Sequence, residues 1–219
     1  QEGRFFHGYY GNYCYLPLSI FSGEHLLCAR LRKSDIDAAA GSVEELERIV
    51  GQIRQQWPQT EIIIRGDSGF CRDAIMAWCE DNGVEFVLGL AKNNRLRRFS
   101  LPARVQAHLQ FLCSGEPSRV FCEFDYQTRD SWTRARRVVA KAEHLAKGAN
   151  PRFVVTSLSA QRADARRLYE DLYCARGDME NRIKEQQLDL FADRTSTHTL
   201  RANQIRLYFS SFAYVPLCA

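Results

Sequence analysis

Residues 62–90 constrain the fold more than any other stretch. Ile62, Ile63 and Ile64 form a continuous β-branched run, the pattern of a strand buried on both faces. A helical segment follows over about 71–81, with Ile75, Trp78 and Cys79 inward and Asn82-Gly83 as its stop signal. A second apolar strand, VEFVLGL, occupies 84–90. Strand, helix and strand joined by short connections belong to a mixed or parallel α/β sheet. Functional groups in such sheets gather at the carboxyl ends of the strands. Asp67 lies at such an end, just past Ile64, and becomes the first candidate for chemistry.

The rest of the chain supplies the flanking elements. Residues 13–22 and 24–32 are two apolar runs that meet at Ser22-Gly23, a hairpin pattern. Ser42 with Glu45 has the spacing of a capping box, and Val43, Leu46, Ile49, Val50, Ile53 and Trp57 then hold one helical face up to Pro58. Val120, Cys122, Phe124 and Tyr126 alternate, polar residues turn at 127–131, and Trp132 to Val139 returns, which predicts an inserted antiparallel hairpin. One more strand is expected at 152–157, then helix over about 162–190 and 201–215. In the long helix, Leu168, Leu172, Ala175, Met179 and Ile183 form a core stripe. Tyr169, Tyr173, Arg176, Glu180 and Lys184 run beside it at the same spacing. That pattern fits an exposed, salt-bridged face, or the rim of a cleft. Gly177, which costs about 1 kcal/mol relative to Ala inside a helix, is read as a point of close backbone approach.

Composition removes several function classes. At 219 residues, 45% hydrophobic and 26% charged, the chain suits one large domain or a domain with an insertion. No run approaches the roughly 18 apolar residues of a membrane span. The eight cysteines contain no C-x-x-C pair and no zinc spacing, so they read as small buried hydrophobes in a reducing, intracellular compartment. Arg65-Gly66-Asp67 is not read as an adhesion tripeptide, because it is attached to a buried strand. Gly66-Asp67-Ser68-Gly69 continues with Phe70 rather than the further Gly of the serine-protease signature. Net charge is +4. Its distribution is more informative, since Lys92, Arg95, Arg97 and Arg98 cluster, as do Arg129, Arg134, Arg136, Arg137 and Lys141. Two basic clusters favour a polyanionic partner, and Arg136 with Arg137 is expected to contact phosphates.

Residues 65–80 (RGDSGFCRDAIMAWCE), 173–184 (YCARGDMENRIK) and the opening QEGRFFHGYYGNYCYLPL strongly resemble bacterial insertion-sequence transposases of the DDE class, in the group with a β-rich insertion before the final Glu. The resemblance runs through essentially the whole chain. It implies an α/β, ribonuclease H-like mixed sheet flanked by helices, with an antiparallel β region inserted before the last catalytic helix. The implied division is 1–98 and 161–219 for the core and 99–160 for the insertion. It further implies acidic residues that bind two divalent ions, Mg²⁺ or Mn²⁺, with Asp67 as the second acid and Glu180 as the third, both facing one cleft. Tyr173, Arg176 and Glu180 match the Tyr-x2-Arg-x3-Glu signature of related transposases, and they join Lys184 as expected DNA-binding residues. The Lys that the signature places seven residues after the Glu is replaced by Gln187.

The first acid would precede Gln1, so the chain reads as a fragment that is inactive alone. The expected partners are transposon ends, target DNA and a second copy in the synaptic complex. The expected setting is the bacterial cytoplasm at the nucleoid, with no membrane. A nuclease of the same fold and an inactive DNA-binding remnant stay open as alternatives.

Overall fold

The computed structural model describes residues 1–217; Cys218 and the side chain of Arg176 lie outside the described residues. In chain order the strands are β1 (Phe5–His7), β2 (Asn12–Cys14), β3 (Leu18–Ser22), β4 (His25–Arg30), β5 (Ile63–Gly66), β6 (Glu85–Leu90), β7 (Ser118–Tyr126), β8 (Arg136–Leu145), β9 (Gly148–Ala149) and β10 (Arg152–Thr156). The α-helices are α1 (Ser42–Gln56), α2 (Asp73–Asp81), α3 (Asn94–Phe99), α4 (Leu101–Ser114), α5 (Ala165–Arg167), α6 (Gly177–Leu188) and α7 (Leu200–Leu217). A π-helical segment, Leu168–Tyr173, and a 3₁₀ turn, Cys174–Arg176, follow α5. The chain divides into two compact units, residues 1–53 with the stretch from Gly177 onward, and residues 54–176.

In the first unit, β3 and β4 form the expected hairpin, turning at Gly23 in the left-handed region (φ 60°) and bulged between Ile20 and Phe21. Tyr15, Ala29, Leu31 and Leu207 form its core, with Leu26, Ala192 and Leu200 packed around them. α7 is fastened to the strand side by two amides. Gln204 accepts from the Leu31 amide at 2.5 Å and donates to the Ala29 carbonyl at 2.9 Å, mimicking a neighbouring strand along the end of β4. Asn203, fully buried, donates to the Tyr15 hydroxyl at 3.1 Å and accepts from Thr197. A buried amide with its partners in place costs little, whereas an unpaired one costs roughly 1–3 kcal/mol.

Two expectations fail at α1. The helix starts at Ser42, but the capping box does not form. Gly41, at φ 76°, turns the chain so that Ser42 is already the first helical residue, and its hydroxyl is buried without a hydrogen-bond partner. The Glu45 carboxylate meets Arg30 at 3.3 Å and Arg48 at 2.9 Å instead. Trp57 falls just beyond the helix end and is 62% exposed. Leu46, Ile49 and Val50 are buried as the periodicity predicts.

The second unit is built on a six-stranded mixed sheet in the order β5-β6-β10-β8-β7, with β9 pairing the end of β8. β5 and β6 are parallel, Ile63 opposite Glu85 and Gly66 opposite Leu88, and the other pairs are antiparallel. The 118–145 segment is thus the predicted hairpin, and β10 follows as expected. Central positions are completely buried: Phe86, Val87, Leu88, Val138, Val139, Ala140, Val154 and Val155. β5 departs from expectation. It is the last strand in the order, and its isoleucines are half-buried because only one side has a neighbour in the sheet.

One face of the sheet (Val87, Val139 and Val154) packs on Leu158, Ala163, Leu168 and Tyr169. α4 lies on β7 and β8 through the buried Ala103 and Ala107. The continuous helix expected from 162 to 190 is interrupted. Asp164 caps α5 by accepting from the Arg166 and Arg167 amides. The chain then widens so that the Cys174 amide donates to the Tyr169 carbonyl five residues back, a π-type bond. The extra residue per turn breaks the 3.6-residue stripes. Tyr169, placed on the outer stripe by periodicity, is buried beside Leu168, while Ala175, placed in the core stripe, is exposed. Gly177 has open space where a Cβ would stand, so no backbone approaches it closely.

Candidate active site

Parallel pairing brings the carboxyl ends of β5 and β6 side by side, and two sequence-predicted residues meet there. Gly66 ends β5 and Asp67 follows, exposed. The Asp67 carboxylate accepts the Gly69 amide through Oδ1 at 2.8 Å, and the Asp67 carbonyl accepts the Phe70 amide at 3.1 Å. The side chain therefore organises its own turn. It does not cap α2, whose N-cap position is Arg72, which makes no side-chain cap bond. Phe70 folds back over Gly66, where an added Cβ would stand 3.1 Å from the Phe70 Cβ and 3.1 Å from Leu88 Cδ2.

The π segment supplies the second residue. A Cβ built on Gly89 of β6 would lie 2.5 Å from the Tyr173 hydroxyl oxygen, 3.0 Å from the Ser68 nitrogen and 3.3 Å from the Asp67 carbonyl carbon. The Tyr173 phenol and the Asp67–Ser68 peptide thus crowd the same glycine. Arg65, on β5, donates from Nη1 to the Leu172 carbonyl at 3.2 Å and ties the strand to the same turn. Tyr173 also packs on Tyr169, ring centroids 5.5 Å apart. Burial pushes the Tyr169 phenol up to about 12, so it stays protonated at neutral pH.

Beside Tyr169, over whose ring Lys141 stands, a set of charges is paired. Glu143 binds Lys141 at 2.8 Å and Arg119 at 2.8 Å, and Arg119 reaches Glu170 at 2.6 Å. Burial alone would raise the Glu143 carboxyl. The bonds from Lys141, Arg119 and Asn150 outweigh it and hold the group below its ordinary range.

The other predicted residues divide as follows. Glu180 and Lys184 are exposed on α6, one turn apart, in the unit that does not contain Asp67. Arg176 has its backbone in the 3₁₀ turn, and its side chain lies outside the described residues. The phosphate contacts expected of Arg136 and Arg137 find no support in their placement. Arg136 has a side chain only 2% exposed and grips Glu80 with Nε and Nη2 at 2.6 and 3.0 Å and Asp73 with Nη1 at 2.7 Å. Arg137 pairs with Glu123 and donates to the Leu158 and Ala163 carbonyls at 2.8 and 3.0 Å. Both guanidiniums are spent inside the fold. Lys92, Arg97 and Arg98 are exposed, and Lys92 sits in the loop leaving the carboxyl end of β6.

Two positions escaped the sequence reading. Arg65 gave no signal, because its acceptor is a main-chain carbonyl 107 residues away. Gly89 did give one, since an isolated glycine inside a strand pattern marks a close approach.

Among the described residues no three His, Cys, Asp or Glu side chains are grouped as a metal site, and no helix is long and apolar enough to cross a membrane. No curated protein matches the chain. The family model for "Transposase DDE domain group 1" matches residues 1–218. That match spans all but the last residue, and it includes the strand-end Asp67 and the Tyr173 turn. The chain therefore belongs to the transposases of DDE domain group 1.

Proposed function

We propose that the protein cleaves DNA at transposon ends and joins those ends to target DNA, with Asp67 and Glu180 as catalytic carboxylates in a ribonuclease H-like core. In this reading residues 1–98 and 161–219 are the core and 99–160 its β-rich insertion. The observation that carries it is the meeting of Asp67 with the Tyr173 turn at the carboxyl ends of a parallel strand pair. This is where an α/β sheet presents its reactive groups.

Members of this family typically use divalent metal ions. Asp67 fits such an ion as a ligand, since it offers hard oxygen, is exposed, and has its carboxylate oriented by the Gly69 amide. Asp67 and Glu180 would hold two ions, Mg²⁺ or Mn²⁺. When bound, the ions supply Lewis acidity and a more acidic water at the scissile phosphate. The chain's own residues provide the rest. The 67–70 turn holds the carboxylate in one orientation, and the Arg65 bond to Leu172 keeps the Tyr173 turn against it. Lys92, Arg97 and Arg98 offer exposed positive charge to the DNA backbone, in place of the internally paired Arg136 and Arg137. Lys184, Arg176 and Tyr173 belong to the same DNA-facing set. The partners are transposon-end and target DNA, and a second copy in the synaptic complex, acting in the bacterial cytoplasm.

The test uses the full-length protein with a pre-cleaved transposon end. Asp67→Asn and Glu180→Gln should each remove cleavage and strand transfer while leaving end binding intact. Near-normal transfer by either variant refutes the assignment. Cleavage without any joining by the unmutated protein would make it a nuclease of the same fold.

A further inference from the structure

The geometry points to Gly89 as a positioning residue for Asp67, acting through the Tyr173 hydroxyl; this rests on the reading of Asp67 as catalytic. Gly89 has an ordinary extended backbone, so its requirement for glycine is one of space, not of dihedral angle. It pairs with Val154 on β10 and follows Leu88, which pairs with Gly66 on β5, so backbone movement would disturb the sheet ladder. The space above it is filled from two directions, by the Tyr173 hydroxyl and by the Asp67–Ser68 peptide. Real Cβ atoms do not tolerate 2.5 Å contacts, and dispersion contacts are optimal near 3.5–4.0 Å. Alanine at this position would therefore displace one of the two neighbours. The phenol, at the far end of a rotatable side chain, gives way more easily than a peptide held by the Asp67 turn bonds.

With glycine in place, the hydroxyl and the peptide that carries Asp67 share the space above Gly89. The turn is then held on both flanks. Phe70 covers Gly66 on β5, and Tyr173 covers Gly89 on β6. Arg65 locks the second flank by holding the Leu172 carbonyl next to Tyr173. A carboxylate on an exposed turn gains a fixed aim from this clamp, which matters because a displacement of about 1 Å can cost about 100-fold in rate.

The test is a double-mutant cycle read two ways, by strand transfer in the full-length protein and by amide hydrogen exchange at Ser68, Gly69 and Phe70. Gly89→Ala should lower strand transfer at least tenfold and should speed exchange of those amides at least tenfold. Tyr173→Phe removes the nearest of the atoms that meet the new Cβ and leaves the Ser68 nitrogen at 3.0 Å. In that background Gly89→Ala should raise the exchange rate by a clearly smaller factor than in the presence of Tyr173. An equal effect of Gly89→Ala in both backgrounds overturns the role of Tyr173, and an active Gly89→Ala protein with unchanged exchange overturns the inference outright. If Gly89→Ala alone does not fold, the double variant must fold; its failure to do so overturns the inference as well. Asp67→Asn serves as the control. If it retains transfer, the catalytic reading of Asp67 falls, while the exchange cycle still decides the contact on its own.

Discussion

Arg136 is where the structure most changes what a mutation should do. Arg136→Ala removes a cation whose side chain is 2% exposed and strands two carboxylates, Asp73 and Glu80, that are only 18% and 17% exposed. Breaking a buried ion pair by deleting one partner costs about 3–5 kcal/mol, most of it from leaving charge uncompensated. The lower end applies here. Arg134 stands 3.4 Å from Glu80 and can take over part of that charge, and Asp73 keeps the Thr133 amide and hydroxyl. A loss of about 3 kcal/mol lowers the melting temperature by roughly 6–12 °C for a chain of this size.

The penalty should also depend on pH. Burial would raise the Asp73 carboxyl, but the bonds from Arg136 and Thr133 prevail and hold it below its ordinary value. A depressed carboxyl adds stability above its unfolded value of about 3.9, and that stability disappears as pH falls through the folded value. The gap between wild type and Arg136→Ala should be full at pH 7 and close below about pH 4. Thermal melts by circular dichroism measure the gap, and fluorescence anisotropy at fixed salt measures DNA affinity in parallel. An unchanged melting temperature with weaker, less salt-dependent DNA binding would refute the buried-triad argument and return Arg136 to the DNA surface.

Further expectations concern separate parts of the molecule. Replacing Lys92, Arg97 and Arg98 together by Ala should weaken DNA binding about equally across sequences and flatten the salt dependence by roughly 2–3 units of slope; an unchanged slope removes them from the interface. Leu168→Ala, at a fully buried position on the π segment, should cost about 2–5 kcal/mol in a denaturant titration, and a cost under 1 kcal/mol would deny it a core role. Burial pushes the Cys79 thiol up to about 12, and burial with the nearby Glu45 charge pushes Cys28 to about 11, so at pH 8 a thiol reagent should modify the exposed Cys113 and Cys174 far faster. Equal rates would contradict the packing. If Asp67 and Glu180 hold the proposed ions, iron substituted for those ions should cut the backbone near both residues when peroxide is added; cuts at one segment alone would refute a shared site.

What the sequence disclosed depended on whether a residue's environment was set locally. The runs at 62–64 and 84–90, the helix between them and the 118–145 hairpin were legible because their apolar residues follow the period of the element. The sequence reading gave no counterpart to α3 and α4, and the reason is visible in α4. That helix buries the small Ala103 and Ala107 while Leu101, Val105, Leu109 and Leu112 remain about half exposed, the reverse of an ordinary core stripe. The Ser42 capping box failed because Gly41 moved the helix start by one position. Arg136 was misread because its partners, Asp73 and Glu80, come from α2, and a basic cluster in sequence does not reveal acids supplied from elsewhere. At the candidate site, Asp67 and Tyr173 were legible through the family resemblance. Their meeting over Gly89 was not, since it follows from the π segment, which no periodicity announces.

That π segment also has a genetic consequence. A widened turn of this kind holds one residue more than an α-helical turn, so one codon can be lost across it without turning the chain that follows. Each α-helical residue advances about 100° around the axis. Losing a single codon at the exposed Asp171 would let 168–173 relax into an ordinary helix. Four α-helical steps make a little more than one full turn, as the five steps of the wide turn do, so Tyr173 would keep its side of the helix, and only the loss of a second codon would turn it by about 100° and uncover Gly89. A population of variants scanned for function should therefore accept substitutions and a single in-frame deletion at Asp171, but not the loss of two residues there.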